Sequence, residues 1–75
     1  MVDYIESNVT GKKYRLSDVV RIVNVKQIAL YLKFGLELLD IYPSVDREDR
    51  PIVVCIFDRK ESKTAYDLWC KHELD

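Results

Sequence analysis

The fold depends first on residues 51–57, which read PIVVCIF, a continuous apolar run. Its length and its β-branched residues predict a β-strand. Successive side chains of a strand point to opposite faces of the sheet, so both faces of this strand are apolar. The two sets are Ile52, Val54 and Ile56 on one face, and Val53, Cys55 and Phe57 on the other.

Residues 36–45, LELLDIYPSV, predict the second strand of an antiparallel hairpin. Its alternating pattern indicates a strand with one buried face. Pro43 cannot donate to a sheet ladder, so we expect it at an edge or near the strand end. The charged connection at 46–50, DREDR, is typical of a solvated loop, or of a charged rim that steers a partner. The two parities are Leu39, Ile41 and Val45, and Asp40, Tyr42 and Ser44.

A helix is predicted over residues 25–34, VKQIALYLKF. Asn24 is a favourable N-cap, and Gln27 three residues later completes a capping box. Gly35 suits the left-handed position that ends a helix.

This helix is apolar on two sides, which a surface helix on a one-layer sheet should not be. At 100° per residue, one stripe is predicted to face the sheet and a second lies opposite. The N-terminal segment, the last helix or an interface with another chain could cover the second stripe. The first stripe is Val25, Ile28, Ala29 and Leu32; the second, our candidate interface, is Leu30, Phe34 and the nearby Tyr31.

The flanking segments complete a single α+β domain over residues 14–75. VVRIV at 19–23 favours a strand, with a helix capped by Ser17 as the alternative. Asp58 predicts the start of a last helix, whose apolar stripe follows. Residues 1–13 are expected to be mobile, or to add at most one short strand. The stripe is Ala65, Tyr66, Leu68 and Trp69.

We therefore predict an α+β fold with a small antiparallel sheet in the order strand, helix, β-hairpin, helix. The sheet has three strands at most, and both helices pack on one of its faces.

Composition excludes several classes of protein. The 75 residues carry a net charge of −1, with 33% charged and 48% hydrophobic residues, which is typical of one globular domain. No apolar run reaches the roughly 18 residues of a membrane span, and the N-terminus lacks the order of a secretory signal. We therefore expect a cytoplasmic protein that does not bind membranes.

Catalytic and metal sites are not indicated. Cys55 and Cys70 are too few for a disulfide scaffold, and His72 alone offers no metal-ligand spacing. Cys70 and His72 diverge on a helix, although Cys55 could approach His72 in space. The two glycines stand apart and form no phosphate loop. We expect no enzyme and no cofactor.

Nucleic-acid binding has a short basic candidate, GKKYR at 11–15, in which an aromatic residue lies between the cations. The start of the last helix could extend it, although ordinary solubilising charge explains the same residues. The candidates are Lys12, Lys13, Arg15, Arg59, Lys60 and Lys63.

Residues 20–74 resemble a small domain-of-unknown-function family of short hypothetical proteins from Firmicutes and their phages. The similar features are the helix start Lys26–Ile28, DIY at 40–42, and a strand ending in Phe57. Ile28 departs from the alanine usual there, and the charged hairpin loop is longer. The remaining matches are Tyr31, Gly35, Tyr66 and Trp69. The resemblance implies a phage or prophage setting in a bacterial cell and supplies no catalytic residues.

We therefore expect a non-enzymatic protein-interaction module that acts as a homodimer. In its most concrete version, the module inhibits a host defence protein. Its partners would be a second copy, a host protein or both. The alternative is a small nucleic-acid-binding accessory protein.

Overall fold

A computed structural model describes residues 3–74 of the chain. It contains five strands and two helices among these residues, and the α+β prediction is confirmed. In chain order the elements are β1 (Tyr4–Glu6), β2 (Lys13–Arg15), β3 (Val19–Ile22), α1 (Val25–Phe34), β4 (Asp40–Val45), β5 (Pro51–Asp58) and α2 (Lys63–Cys70).

Strand β5, which contains the PIVVCIF run, is the centre of a three-stranded antiparallel sheet in the order β3-β5-β4. Its register places Val20 opposite Phe57 and Tyr42 opposite Val54. The predicted strand at 19–23 and the predicted hairpin are present, although β3 ends at Ile22 and β4 begins only at Asp40. Because β5 bonds to a strand on each side, it has no free edge.

The helices cover one face of this sheet. Cys55 and Phe57 of β5 are buried there against Tyr31 of α1 and Ala65 of α2. The rings of Tyr31 and Phe57 meet edge to face, with centroids 5.3 Å apart at 71°, a favourable aromatic geometry.

The opposite face of the sheet is covered by a second, two-stranded sheet that the sequence did not predict. β1 and β2 pair antiparallel, with Ile5 opposite Tyr14. Both side chains pack on the second apolar face of β5, which Val54 and Ile56 form. The domain therefore has three layers: helices, the main sheet and this N-terminal hairpin.

The described part of residues 1–13, where at most one short strand was expected, contains β1 and the first residue of β2. β1 lies wholly within that segment, and the boundary predicted after residue 13 falls inside β2. The segment forms structure because β5 has a second apolar face that needs cover. Mobility of residues 1–13 stays a prediction, and residues 1 and 2 lie outside the described part.

The sequence pattern indicates that β4 buries the face that carries Ile41 and Val45. In the structure, the other face of β4 is buried. Asp40 and Tyr42 are buried, whereas Ile41 and Val45 are about half exposed. The reason is that the N-terminal hairpin lies over the Asp40 side and supplies hydroxyl groups to it.

The Asp40 carboxylate accepts four hydrogen bonds and holds the hairpin on β4. Its Oδ1 accepts from Ser7 Oγ at 3.1 Å and from the backbone nitrogen of Ile41 at 2.9 Å. Its Oδ2 accepts from Thr10 Oγ1 at 2.7 Å and from the Tyr14 hydroxyl at 2.9 Å. These bonds, that of Thr10 first, hold the pKa of Asp40 below its usual range against the opposing effect of burial.

Ser7 is the second centre of this network. Its side chain is fully buried, and its Oγ accepts from the backbone nitrogens of Val9 and Thr10 while it donates to Asp40. The Ser7 hydroxyl therefore stabilises the turn of the N-terminal hairpin and also attaches the hairpin to the main sheet.

Helix α1 has the predicted bounds and caps, with one difference. Asn24 accepts from the Gln27 backbone nitrogen at 3.0 Å, and Gly35 ends the helix at φ 104°. The Gln27 side chain does not complete the capping box, because it is buried and its Nε2 donates to the Tyr31 hydroxyl at 3.1 Å.

Helix α2 begins later than predicted. Asp58 accepts from the backbone nitrogen of Glu61 at 2.9 Å and so stabilises a turn. The helix itself starts at Lys63, after this turn.

Replacement of Asp40 by asparagine should weaken the attachment of the N-terminal hairpin to β4. The asparagine oxygen can still accept from Ser7 and the Ile41 nitrogen, but its NH2 group replaces Oδ2, which accepts from Thr10 and Tyr14. Loss of these two charge-assisted bonds costs about 1–3 kcal/mol. In a domain of this size, we expect the Tm at pH 7 to fall by about 5–15 °C. Thermal melting followed by circular dichroism measures it.

The same variant should also flatten the acid dependence of stability. A lowered carboxyl pKa means that Asp40 contributes its full stability above the unfolded value of about 3.9, and loses it as pH falls through the lower folded value. Wild type should therefore lose more Tm between pH 6 and pH 3 than Asp40→Asn. Asp46, whose pKa is also lowered, titrates in both proteins. Equal losses would contradict the role given to Asp40.

Candidate interaction surface

Helix α1 is rotated relative to the prediction. Gln27 and Tyr31 are its buried residues, whereas Val25, assigned to the sheet from the sequence, is 81% exposed. The physical reason is that Tyr31 packs on Phe57 and its hydroxyl binds Gln27, so these two residues lie inward together. Leu32, also predicted to be inward, is exposed.

The candidate interface residues from the sequence do not form one surface. Tyr31 is 0% exposed and belongs to the core, so it cannot contact a partner. Leu30 is half-buried and packs against the same core. Phe34 is 45% exposed and remains available at the surface. Part of the second stripe is therefore covered from within, where α1 also contacts α2.

A larger apolar surface lies on the helix side of the sheet, next to the start of α1. Five exposed side chains of β4 and β5 share this side, and the register pairs Pro43 with Val53 and Val45 with Pro51. We name it the apolar face; its members are Ile41, Pro43, Val45, Pro51 and Val53.

The apolar face is left open because α1 covers only part of β5. Residues 54–57 of β5 are buried, whereas Val53 is 48% exposed. A ten-residue helix is about 15 Å long. The part of the β4–β5 hairpin that includes Val53 is therefore not covered by α1.

A groove separates the apolar face from α1. It has a volume of about 410 Å³, and Val23, Val25 and Ile28 line it opposite Pro43 and Val53. Among residues 3–74, the side chains that line it are uncharged. Such a groove suits an apolar side chain.

The β4–β5 turn beside this face carries both signs of charge and neutralises much of it internally. Arg50 contacts Asp46 at 2.9 Å and Glu48 at 3.1 Å. Asp46 also accepts from the backbone nitrogens of Glu48 and Arg50, and the Arg50 backbone bond contributes most to its lowered pKa. The turn therefore has a fixed shape, with its charges at the border of the apolar face.

One contact links the second basic segment to the residue that follows the first. Arg59 Nη2 donates to the Leu16 carbonyl at 3.0 Å, immediately after Arg15. Lys13 Nζ lies 3.8 Å from Glu6 Oε1. Lys63 Nζ lies 3.4 Å from Asp67 Oδ2, so both lysines have an acidic neighbour. Lys12 and Lys60 are exposed.

A second groove, of about 400 Å³, lies beside α2. It is lined by the cations Arg59 and Lys63, by the half-exposed ring of Tyr66, and by Val20 and Ser62. The six basic candidates thus contribute only two side chains to this groove.

The cysteines and histidine occupy different environments. Cys55 is buried in the core, and burial raises the pKa of its thiol, which disfavours the reactive thiolate. Cys70 is exposed on α2, and His72 follows the helix at φ 58°. Among residues 3–74, no three His, Cys, Asp or Glu side chains are grouped so that they could hold a metal ion.

Comparison with protein-family models, with curated proteins and with solved structures finds no match to this chain. The resemblance described from the sequence stays a prediction. Within the described residues, no helix has the length and hydrophobicity needed to cross a membrane.

Sequence reasoning missed the apolar face because it assigned Ile41 and Val45 to the buried side of β4. One signal for the opposite assignment was Asp40, whose side chain lies on the same face of β4 as that of Tyr42. A cluster of Ser7, Thr10 and Tyr14 upstream offers the hydroxyl groups that a buried carboxylate needs.

Alanine at Tyr31 and at Phe34 should have very different effects on stability. Tyr31→Ala removes a fully buried ring and should lower the free energy of unfolding by about 3–5 kcal/mol, or prevent folding. Phe34→Ala removes a half-exposed ring and should cost roughly 1 kcal/mol. Urea denaturation measures both. Similar losses would contradict the assignment of Tyr31 to the core and Phe34 to the surface.

Proposed function

We propose that the chain is a non-enzymatic protein-interaction module that binds another folded chain through the apolar face. The observation that carries this proposal is the set of five exposed apolar side chains on one side of β4 and β5. Single exposed apolar residues are ordinary, whereas a contiguous group marks an interaction surface.

The energetics favour a covered face. Burial of a whole valine or isoleucine side chain contributes about 1.5–3 kcal/mol. Ile41, Val45 and Val53 each leave about half of their surface in water. A partner that removes this water gains the corresponding free energy.

The layout also matches a protein-binding surface. Interfaces combine an apolar centre with a polar, solvated border. Here Val53 and Pro43 form the centre, and the Asp46–Arg50 turn forms part of the border. The groove beside Val25 offers a recess for a partner's side chain.

A narrower proposal follows from the family resemblance. In this version the chain is encoded by a phage or prophage, acts in the bacterial cytoplasm and inhibits a host defence protein. Its support is the resemblance together with a surface suited to occupying a partner, an analogy at the level of fold and setting.

Site-specific photo-crosslinking in expressing cells tests the module. A photo-reactive residue at position 53 should give defined adducts heavier than the 8.9 kDa chain. The same residue at position 9 is the matched control, because Val9 is 64% exposed in the turn of the N-terminal hairpin and is not a member of the apolar face. Adding Ile41→Lys to the position-53 protein should remove the adducts.

The position-53 result decides the proposal. Adducts that are absent at position 53, that form equally at position 9, or that survive Ile41→Lys would contradict a protein-binding apolar face.

Nucleic-acid binding is the second candidate function, and the groove beside α2 favours it. Arg59 and Lys63 offer charge for a phosphate, and Tyr66 offers a ring on which a base can stack.

Retention on single-stranded DNA at two salt concentrations tests this second function. Phosphate binding should weaken steeply between about 50 and 200 mM salt, and Arg59→Ala with Lys63→Ala should weaken it further. Lys26→Ala with Lys33→Ala on α1 is the control for a general loss of charge. Absence of retention at the lower salt would contradict the second function.

A further inference from the structure

We infer that the occupant of the apolar face is a second copy of this chain, placed face to face about a two-fold axis. This inference rests on the proposed interaction module and names its partner. It is carried by the exposed area of the chain, by its charge and by the hindered edge of β4.

The exposed area matches what a dimer needs. The chain exposes 5603 Å², whereas a folded monomer of 8.9 kDa exposes about 4,800 Å². The excess of about 800 Å² equals the area that each partner buries in a standard interface. One further copy would bury an area of this size.

The charges permit two copies to meet. A strong net charge keeps proteins apart, but this chain carries −1. The apolar face contains no charged residue, and the turn beside it pairs Arg50 with Asp46 and Glu48. A border that contains both signs is complementary to itself when a two-fold axis brings two copies together.

The edge of β4 directs the contact to the face of the sheet. Pro43 has no backbone N–H, and its carbonyl accepts from Asn8 Nδ2 at 3.0 Å. Tyr14 also reaches the Leu39 carbonyl, at 3.5 Å. The N-terminal hairpin thus hinders pairing of a second sheet along β4, and the apolar face remains available for packing.

The groove and the face complement each other in a two-fold contact. The groove beside Val25 is apolar and holds about 410 Å³. Ile41 and Val45 are half-exposed apolar side chains of the same sheet side. In an isologous contact, side chains of one copy enter the groove of the other, and the reverse contact forms at the same time.

Sedimentation equilibrium of the purified chain tests the inference. From roughly 5 to 500 µM, which brackets micromolar affinity, wild type should approach twice the 8.9 kDa mass. Val53→Lys should raise the dimer dissociation constant at least about tenfold, because it buries a charge at the centre of the contact. Val9→Lys should leave the constant unchanged. Circular dichroism confirms that both exposed-site variants fold.

Each outcome separates the inference from the proposed function. A wild-type chain that stays monomeric at the highest concentration overturns the second-copy inference. If position 53 still crosslinks to a heavier partner in cells, the interaction module stands with a different partner. A dimer that Val9→Lys weakens and Val53→Lys does not would place the contact elsewhere and overturn the inference as well.

Discussion

The structure depends on the two apolar faces of the central strand β5. One face, with Cys55 and Phe57, packs on Tyr31 and Ala65 of the helices, and the other needs separate cover. Both helices lie on the first face of the sheet, so neither of them covers the second face. The N-terminal hairpin supplies the second cover, and this makes a three-layered domain from a chain of only 75 residues.

The N-terminal hairpin is held by polar contacts as well as by apolar packing, and the polar contacts explain why Asp40 is buried. A carboxylate without a cation beside it is stable in a protein interior only when hydrogen bonds satisfy it. Ser7, Thr10 and Tyr14 provide those bonds from the hairpin. Burial of Asp40 fixes the parity of β4, and that parity turns Ile41 and Val45 outward. The proposed interaction surface is thus a consequence of how the hairpin is attached.

Local signals in the sequence predicted the local structure well. Asn24 and Gly35 gave the bounds of α1, and the PIVVCIF run gave β5, because caps and periodicity act within a few residues. The orientation of α1 and the buried side of β4 depend on contacts between residues far apart in the chain. Gln27 was interpreted as a capping residue, yet its side chain satisfies the buried Tyr31 hydroxyl. The hairpin escaped prediction because its strands have three residues each and a mixed polar sequence.

The area left open by α1 connects fold and function, since it is where the domain lacks cover of its own. The most direct test of the central claim is an isotope-filtered NMR experiment on a mixture of labelled and unlabelled chains, which detects only contacts between copies. A dimer through the apolar face should give intermolecular NOEs from the methyl groups of Ile41, Val45 and Val53 to Val25 and its neighbours on the other copy. Intermolecular NOEs that involve only Val9 or Phe34 would contradict a contact through the apolar face. The absence of any intermolecular NOE at concentrations where the chain is dimeric would contradict it as well.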